Sequence, residues 1–138
     1  IGAASAALKH TKHYATERQQ FGKAITEFQN TQFTLADMLT NLTASRQMVR
    51  LAAYKLDSNA DDKTIHCAMA KRFATDVCFD ICDQALQLHG GYGYIKEYPI
   101  ERYFRDARVH RILEGTNEIM RVIIARKLLE DVNSALID

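Results

Sequence analysis

The sequence predicts an all-α fold, an antiparallel up-and-down helical bundle of about four main helices. Three observations carry the prediction. A single proline occurs in 138 residues, which leaves long helices unbroken. Apolar residues recur at the i, i+3, i+4, i+7 spacing that gives a helix one apolar face. Strand patterning, with its period of two, is almost absent.

The first helix covers about residues 1–18. It is rich in alanine, with Ile1, Ala4, Leu8 and Ala15 near one face, so a neighbouring helix can approach closely. The stretch "ERQQFGKAITEFQN" breaks the rhythm around Gly22 and reads as a loop. A second helix runs from about Thr31 to Leu56, with Leu35, Met38, Leu39, Leu42, Val49, Ala52, Ala53 and Leu56 in helical register. At about 1.5 Å per residue it is roughly 40 Å long. "DSNADDKT" ends it and offers Asn and Asp to cap the next helix. The third helix spans about 62–89, with Ile65, Met69, Phe73, Val77, Ile81, Ala85 and Leu88 in period. It stops at Gly90–Gly91, a pair suited to the left-handed residue that closes many helices. Pro99 opens a short helix. Thr116 caps the last one, whose apolar residues are Ile119, Val122, Ile123, Leu128 and Leu129.

Composition narrows the function. Hydrophobic residues make up 47% and charged residues 25%, enough apolar side chain for one domain with its own core. Lys plus Arg number 18 against 17 Asp plus Glu, and a net charge of +1 gives no bulk attraction to nucleic acid or to an anionic membrane. No apolar run reaches the roughly 18–20 residues that span a bilayer. The opening "IGAASAALKH" shows no signal-peptide pattern and no initiator Met, and is already helical in rhythm, as in a piece of a longer protein. Cys67, Cys78 and Cys82 share the third helix without C-x-x-C spacing and are expected as free, buried thiols of a reducing compartment. No glutamate has a histidine three residues on, so the Glu-x-x-His ligands of a di-iron bundle are missing and no metal is expected.

Four stretches carry possible chemistry, each beside a plainer reading. "HGGYGYIKEYP" follows a helix rather than a strand and is not G-x-G-x-x-G, so the dinucleotide-loop mechanism fails. A helix stop with a turn is the plainer reading, although adjacent glycines also let backbone approach a ligand closely. Arg102, Arg105, Arg108 and Arg111 recur every third residue, but this step winds around a helix, and Glu101 and Asp106 interleave; ion pairs and interface contacts are favoured over a nucleic-acid stripe. Arg18 precedes an aromatic and a glycine in a loop, where it can grip a phosphate or form an ion pair. Glu114, in "ILEGTNEIMR", has two readings of equal weight. It is helix-start punctuation, stabilised by the helix N-terminal field. Or it is a general base, which needs an apolar, dry pocket to raise its pKa; Ile112, Leu113 and Gly115 suit the second reading.

The motifs "YATERQQFGKAITEFQ", "QALQLHGGYGY", "EYPIERYFRDARV" and "ILEGTNEIMR", in this order and spacing, resemble the C-terminal helical domain of the acyl-CoA dehydrogenases. The resemblance covers essentially the whole chain, residues 1–138. Stretches such as "MAKRFATDVCFDICDQALQLHGGYGY" look most like the branch acting on isobutyryl-CoA, in mitochondrial valine breakdown.

The resemblance implies an FAD-dependent oxidation of an acyl-CoA to the trans-2-enoyl-CoA, with Glu114 as the base for the α-proton. It implies that the Glu114 backbone N–H helps bind the thioester carbonyl. Arg18, Gln20, Phe21 and Gln29 match contacts to FAD across a subunit boundary, with Arg18 near the pyrophosphate. Gln87, Leu88, His89, Gly90 and Gly91 match a second such stretch, and Thr116, Asn117 and Glu118 match residues touching FAD just after the base. Gly115 and Arg126 match substrate-binding positions. The same resemblance implies a homotetramer of the mitochondrial matrix that passes electrons to electron-transferring flavoprotein. It also implies that the family's β-domain and N-terminal helical domain are absent here, so that the chain alone binds FAD weakly and does not turn over. Two alternatives stay open: a non-catalytic assembly bundle, and an acyl-CoA oxidase.

Overall fold

The computed structural model describes residues 1–131 and 136–137. In order, the elements are α1 (Gly2–Glu17), β1 (Gln19–Gln20), β2 (Lys23–Ala24), a 3₁₀ turn (Ile25–Glu27), α2 (Gln29–Asp57), α3 (Lys63–His89), α4 (Gly91–Tyr94), α5 (Ile100–Val109) and α6 (Asn117–Glu130). The all-α architecture is as predicted. Among the described residues no helix is long and apolar enough to cross a membrane.

The centre is α3, which packs against α1, α2, α5 and α6. Its composition allows this. Small residues, Ala68, Ala70, Ala74, Cys78, Cys82 and Ala85, are all buried, and they let neighbouring helices close in from several sides. Ala4 and Ala7 of α1, Met38 and Leu42 of α2, and Ile100 and Ala107 of α5 complete the core. Helices α2 and α3 form a hairpin through residues 58–62. The Lys55 ammonium donates to Asp62 Oδ2 at 2.6 Å across its mouth. That hydrogen bond holds the Asp62 carboxyl below its ordinary pKa. Asp62 stands at the α3 N-cap but makes no capping bond to the helix; Lys55 and His66 take its carboxylate instead.

Three expectations need correction. The segment after Arg18 is not a plain loop: β1 and β2 pair antiparallel, with Gln19 opposite Ala24. Each strand is two residues long, too short to show a period of two. Second, several residues placed on buried helix faces are exposed: Leu39, Val49 and Leu56 on α2, and Ile119, Val122, Leu128 and Leu129 on α6. An apolar stripe predicts a covering surface without saying which chain supplies it. Third, Cys78 and Cys82 are buried free thiols as expected, but Cys67 is only half-buried.

Candidate active site

Two groups of site residues are gathered, one against the first half of α3 and one at its C-terminal end. The first is the turn that carries Glu114. Beyond α5 the chain folds back on itself: the Ile112 and Leu113 amides donate to the Val109 carbonyl at 2.9 and 3.1 Å, and the Asn117 amide donates to the Arg111 carbonyl at 3.0 Å. Closing this turn puts Glu114 at φ +55° and Gly115 at φ +90°. A left-handed glutamate is rare, because its Cβ crowds the following carbonyl. Thr116 then caps α6, its Oγ1 accepting from the Ile119 amide at 3.3 Å.

Side chains of α3 hold the turn from beneath. Lys71 Nζ donates to the Gly115 carbonyl and to Asn117 Oδ1, both at 2.7 Å. Asn117 is 3% exposed, and its amide donates to Thr75 Oγ1 and to Asp76 Oδ1, each at 2.9 Å. Asp76 Oδ1 also meets Arg111 Nε at 2.8 Å, and the Arg111 guanidinium lies 4.4 Å from the Phe79 ring centroid. The last arginine of the three-residue series is therefore an ion-pair residue, while Arg105 and Arg108 stay exposed. The Asn117 side chain faces α3 rather than open space.

The dry pocket expected around Glu114 is not closed by the described residues. Glu114 is exposed, and so are its apolar neighbours Ile112 and Leu113, at 53% and 47%. Glu118 is exposed beside Arg121, and Arg126 is exposed farther along α6.

The second group lines a cavity of about 470 Å³ where α1, the β hairpin and the end of α3 meet. Arg18, Gln20, Gln87, Leu88, His89, Gly90 and Gly91 all reach it, so two stretches separate in sequence are brought together. Arg18 ends α1 in extended conformation, with its guanidinium 5.3 Å from the Tyr92 ring centroid. His89 is buried, and its Nδ1 lies 2.8 Å from the Ala85 carbonyl. A carbonyl only accepts, so Nδ1 carries the proton and Nε2 is left as an acceptor. Burial pushes the His89 pKa down, and burial raises that of Tyr14, with Arg18 opposing the latter shift. Gly90 takes φ +58° as α3 ends. The open space around Gly90 and Gly91 leaves their backbone accessible from the cavity.

Phe21 and Gln29 lie outside this cavity. Phe21 sits at the hairpin tip at φ +54°, 92% exposed, its ring edge-on to Phe28; Gln29 is exposed at the start of α2. Sequence reasoning missed Lys71, Asp76 and Tyr14. A lysine and an aspartate five residues apart amid the buried alanines of α3 were a readable hint. Tyr14 opens the motif "YATERQQFGKAITEFQ", but no local pattern marked its contact with His89.

The sequence pattern of the family described as acyl-CoA dehydrogenase, C-terminal domain, matches residues 1–129. The chain belongs to the acyl-CoA dehydrogenase family. It is 52% identical over 131 residues to the mitochondrial isobutyryl-CoA dehydrogenase of Bos taurus, covering 95% of this chain and 32% of the relative. Butyryl-CoA dehydrogenase from Megasphaera elsdenii superposes with a TM-score of 0.90 at 41% identity, over 93% of this chain and 33% of that one. The FAD complex of PigA superposes with a TM-score of 0.87 at 35% identity, over 92% of this chain and 33% of that one. This acyl-CoA dehydrogenase domain therefore spans about a third of the length of these relatives.

Proposed function

We propose that residues 1–138 form the C-terminal helical domain of an FAD-dependent acyl-CoA dehydrogenase that oxidises a short or branched acyl-CoA, of isobutyryl-CoA type, to the enoyl-CoA. The observation that carries this reading is the turn at Glu114. A carboxylate occupies a left-handed position that favours glycine, at the point where the family motif "EGT" begins. Backbone strain of this kind is retained where the side chain's position matters.

Glu114 accepts the α-proton of the acyl thioester. The Glu114 backbone N–H donates to the thioester carbonyl and stabilises the negative charge that develops there. Gly115 lets substrate approach the turn closely, and Arg126 contributes to substrate binding. When bound, FAD supplies the hydride acceptor for the β-hydrogen, so that loss of proton and hydride leaves the carbon–carbon double bond. The residues around the cavity fit such a cofactor: one guanidinium, the amides of Gln20 and Gln87, and an accessible glycine backbone suit a pyrophosphate and its polar flanks. Thr116, Asn117 and Glu118 would lie beside the cofactor next to the base, Asn117 with its side chain held by α3 and its amide by the Arg111 carbonyl.

The cavity and the base serve different copies of the cofactor. Lys71 marks the Glu114 turn on α3 and His89 marks the cavity, and residues 71 and 89 are about 27 Å apart along a straight helix. Arg18, Gln20, Phe21, Gln29 and the segment Gln87–Gly91 thus reach the FAD of a neighbouring subunit in a homotetramer. The exposed apolar residues of α2 and α6 support such assembly. Electron-transferring flavoprotein is the proposed electron acceptor. A mitochondrial matrix location is proposed on the likeness to the Bos taurus enzyme.

Anaerobic addition of isobutyryl-CoA to the full-length protein tests the reading. Flavin absorbance should bleach in the wild type and not in Glu114→Gln, and butyryl-CoA in place of isobutyryl-CoA tests the branch. Equal bleaching in both proteins would return Glu114 to helix punctuation. The open surroundings of Glu114 favour a second reading for the domain in isolation, a helical assembly module without turnover.

A further inference from the structure

We propose that Lys71 is a positioning residue for the base: its ammonium, clamped between the Gly115 carbonyl and Asn117 Oδ1, holds Glu114 in its left-handed conformation. The inference rests on the reading of Glu114 as the base.

The geometry of the turn leaves this work to one side chain. Glu114 and Gly115 both stand at positive φ, and Glu114 is exposed. The backbone bonds to Val109 and Arg111 close the turn before and after Glu114 but do not touch the Glu114–Gly115 peptide. Lys71 grips the peptide after it, Gly115–Thr116: its ammonium donates to the Gly115 carbonyl at 2.7 Å, from 44 residues earlier in the chain, and so fixes the far side of Gly115. Its second bond, to Asn117, ties that carbonyl to the first residue of α6. Asn117 is in turn fixed on Thr75 and Asp76, so Lys71 links the turn to the most buried helix of the domain.

A cation suits this post better than an amide would. The carbonyl and the Asn117 oxygen converge on one point, and an ammonium offers three donors there with no acceptor to misplace. Charged donors also make the stronger hydrogen bonds. The carboxylate must meet the α-proton within a narrow geometry, and displacement by about 1 Å costs on the order of 100-fold in rate. Lys71 thus acts on catalysis through the Gly115–Thr116 peptide, one residue beyond the base, without touching substrate.

Lys71→Met and Lys71→Arg in the full-length, flavin-loaded enzyme test this. For Lys71→Met, kcat should fall about 10- to 100-fold, with KM and flavin content per chain unchanged. The deuterium isotope effect with α-deuterated substrate should rise as proton removal becomes slower. Lys71→Arg, which keeps a charged donor, should recover part of the loss. Amide hydrogen exchange provides a readout independent of turnover: residues 113–117 should exchange faster in Lys71→Met while the core of α3 does not. Unchanged kcat per flavin, or uniform loosening of the whole domain, would overturn the proposal. A Glu114→Gln enzyme that still bleaches would instead sink the assignment of the base, whatever Lys71 does.

Discussion

Tyr14 lies flat against His89: their ring centroids are 4.3 Å apart, the planes are within 19° of parallel, and the Tyr14 hydroxyl donates to the His89 carbonyl at 3.3 Å. One contact thus joins the end of α1 to the end of α3. It fixes the floor of the cavity between Arg18 and the Gln87–Gly91 segment.

Stability should depend on pH through this contact. His89 is buried in its neutral form, and its pKa falls below 6.5, chiefly through burial, with His10 adding to the shift and the bond to Ala85 opposing it. The unfolded chain therefore binds the proton more readily than the folded one. The stability that His89 contributes is full above pH 6.5 and is lost as pH falls from there toward the folded pKa. The melting temperature, measured from pH 7.5 down to 5.5 (about one unit either side of the ordinary histidine pKa), should decline. The decline should be shallower in His89→Gln. An equal slope in both proteins would mean that other groups carry the pH dependence.

Gly93→Ala should destabilise the same corner. Gly93 is buried in α4, and a β-carbon there would lie 2.5 Å from the Leu86 carbonyl oxygen and 3.0 Å from His89 Cβ. The oxygen belongs to backbone, which cannot swing aside as a side-chain tip would. Overpacking of this kind costs about 1–3 kcal/mol. Urea unfolding of the variant should show a lowered midpoint with an unchanged slope, and an unchanged midpoint would show that α4 can lift away freely.

The thiols should divide by burial. Burial pushes the Cys82 pKa up to about 12, so its thiolate is scarce at any ordinary pH. Cys78 is buried beside it, whereas Cys67 is half-buried. A thiol reagent followed by mass spectrometry should label Cys67 first and reach Cys78 and Cys82 only in denaturant. Early labelling of Cys82 in the folded protein would show that α3 opens locally.

What was legible in the sequence follows the same physics. Long helices announced themselves because burial repeats every three to four residues, and α3 was bounded correctly because Gly90 could end it at positive φ. The hairpin was hidden because its turn rests on Phe21 at φ +54°, a residue without a turn signature, and its strands are too short to pattern. Helix α4, with sequence GYGY, was hidden because glycine argues against helix; packing on α3 overrode that propensity. Glu114 is visible as a motif residue, but the described residues leave its surroundings open. Apolar neighbours in sequence do not make a dry pocket when Ile112 and Leu113 themselves point outward. The Lys71 clamp spans 44 residues: the lysine among the alanines of α3 is visible in sequence, but its partner at Gly115 is not.

The same turn yields the sharpest stability prediction. An L-residue held in the left-handed region costs about 1–2 kcal/mol, and Glu114 stands there at φ +55° with its side chain exposed. Glycine adopts φ +55° without that cost but loses about 0.5–1 kcal/mol through its greater freedom when unfolded. Glu114→Gly should therefore stabilise the domain by up to about 1.5 kcal/mol, read as a raised urea midpoint. Glu114→Gln keeps the same backbone demand on a side chain of the same shape, and its midpoint should stay within about 0.5 kcal/mol of wild type. Glu114→Val should be the least stable of the series, because a β-branched residue suffers most at positive φ. The order Gly, then Glu and Gln together, then Val would show that the carboxylate is kept at a position where the fold favours glycine, stability being given up for chemistry. Were the glycine variant less stable than wild type, the turn would be relaxed rather than strained. Its conformation would then be no argument for a functional carboxylate at this position.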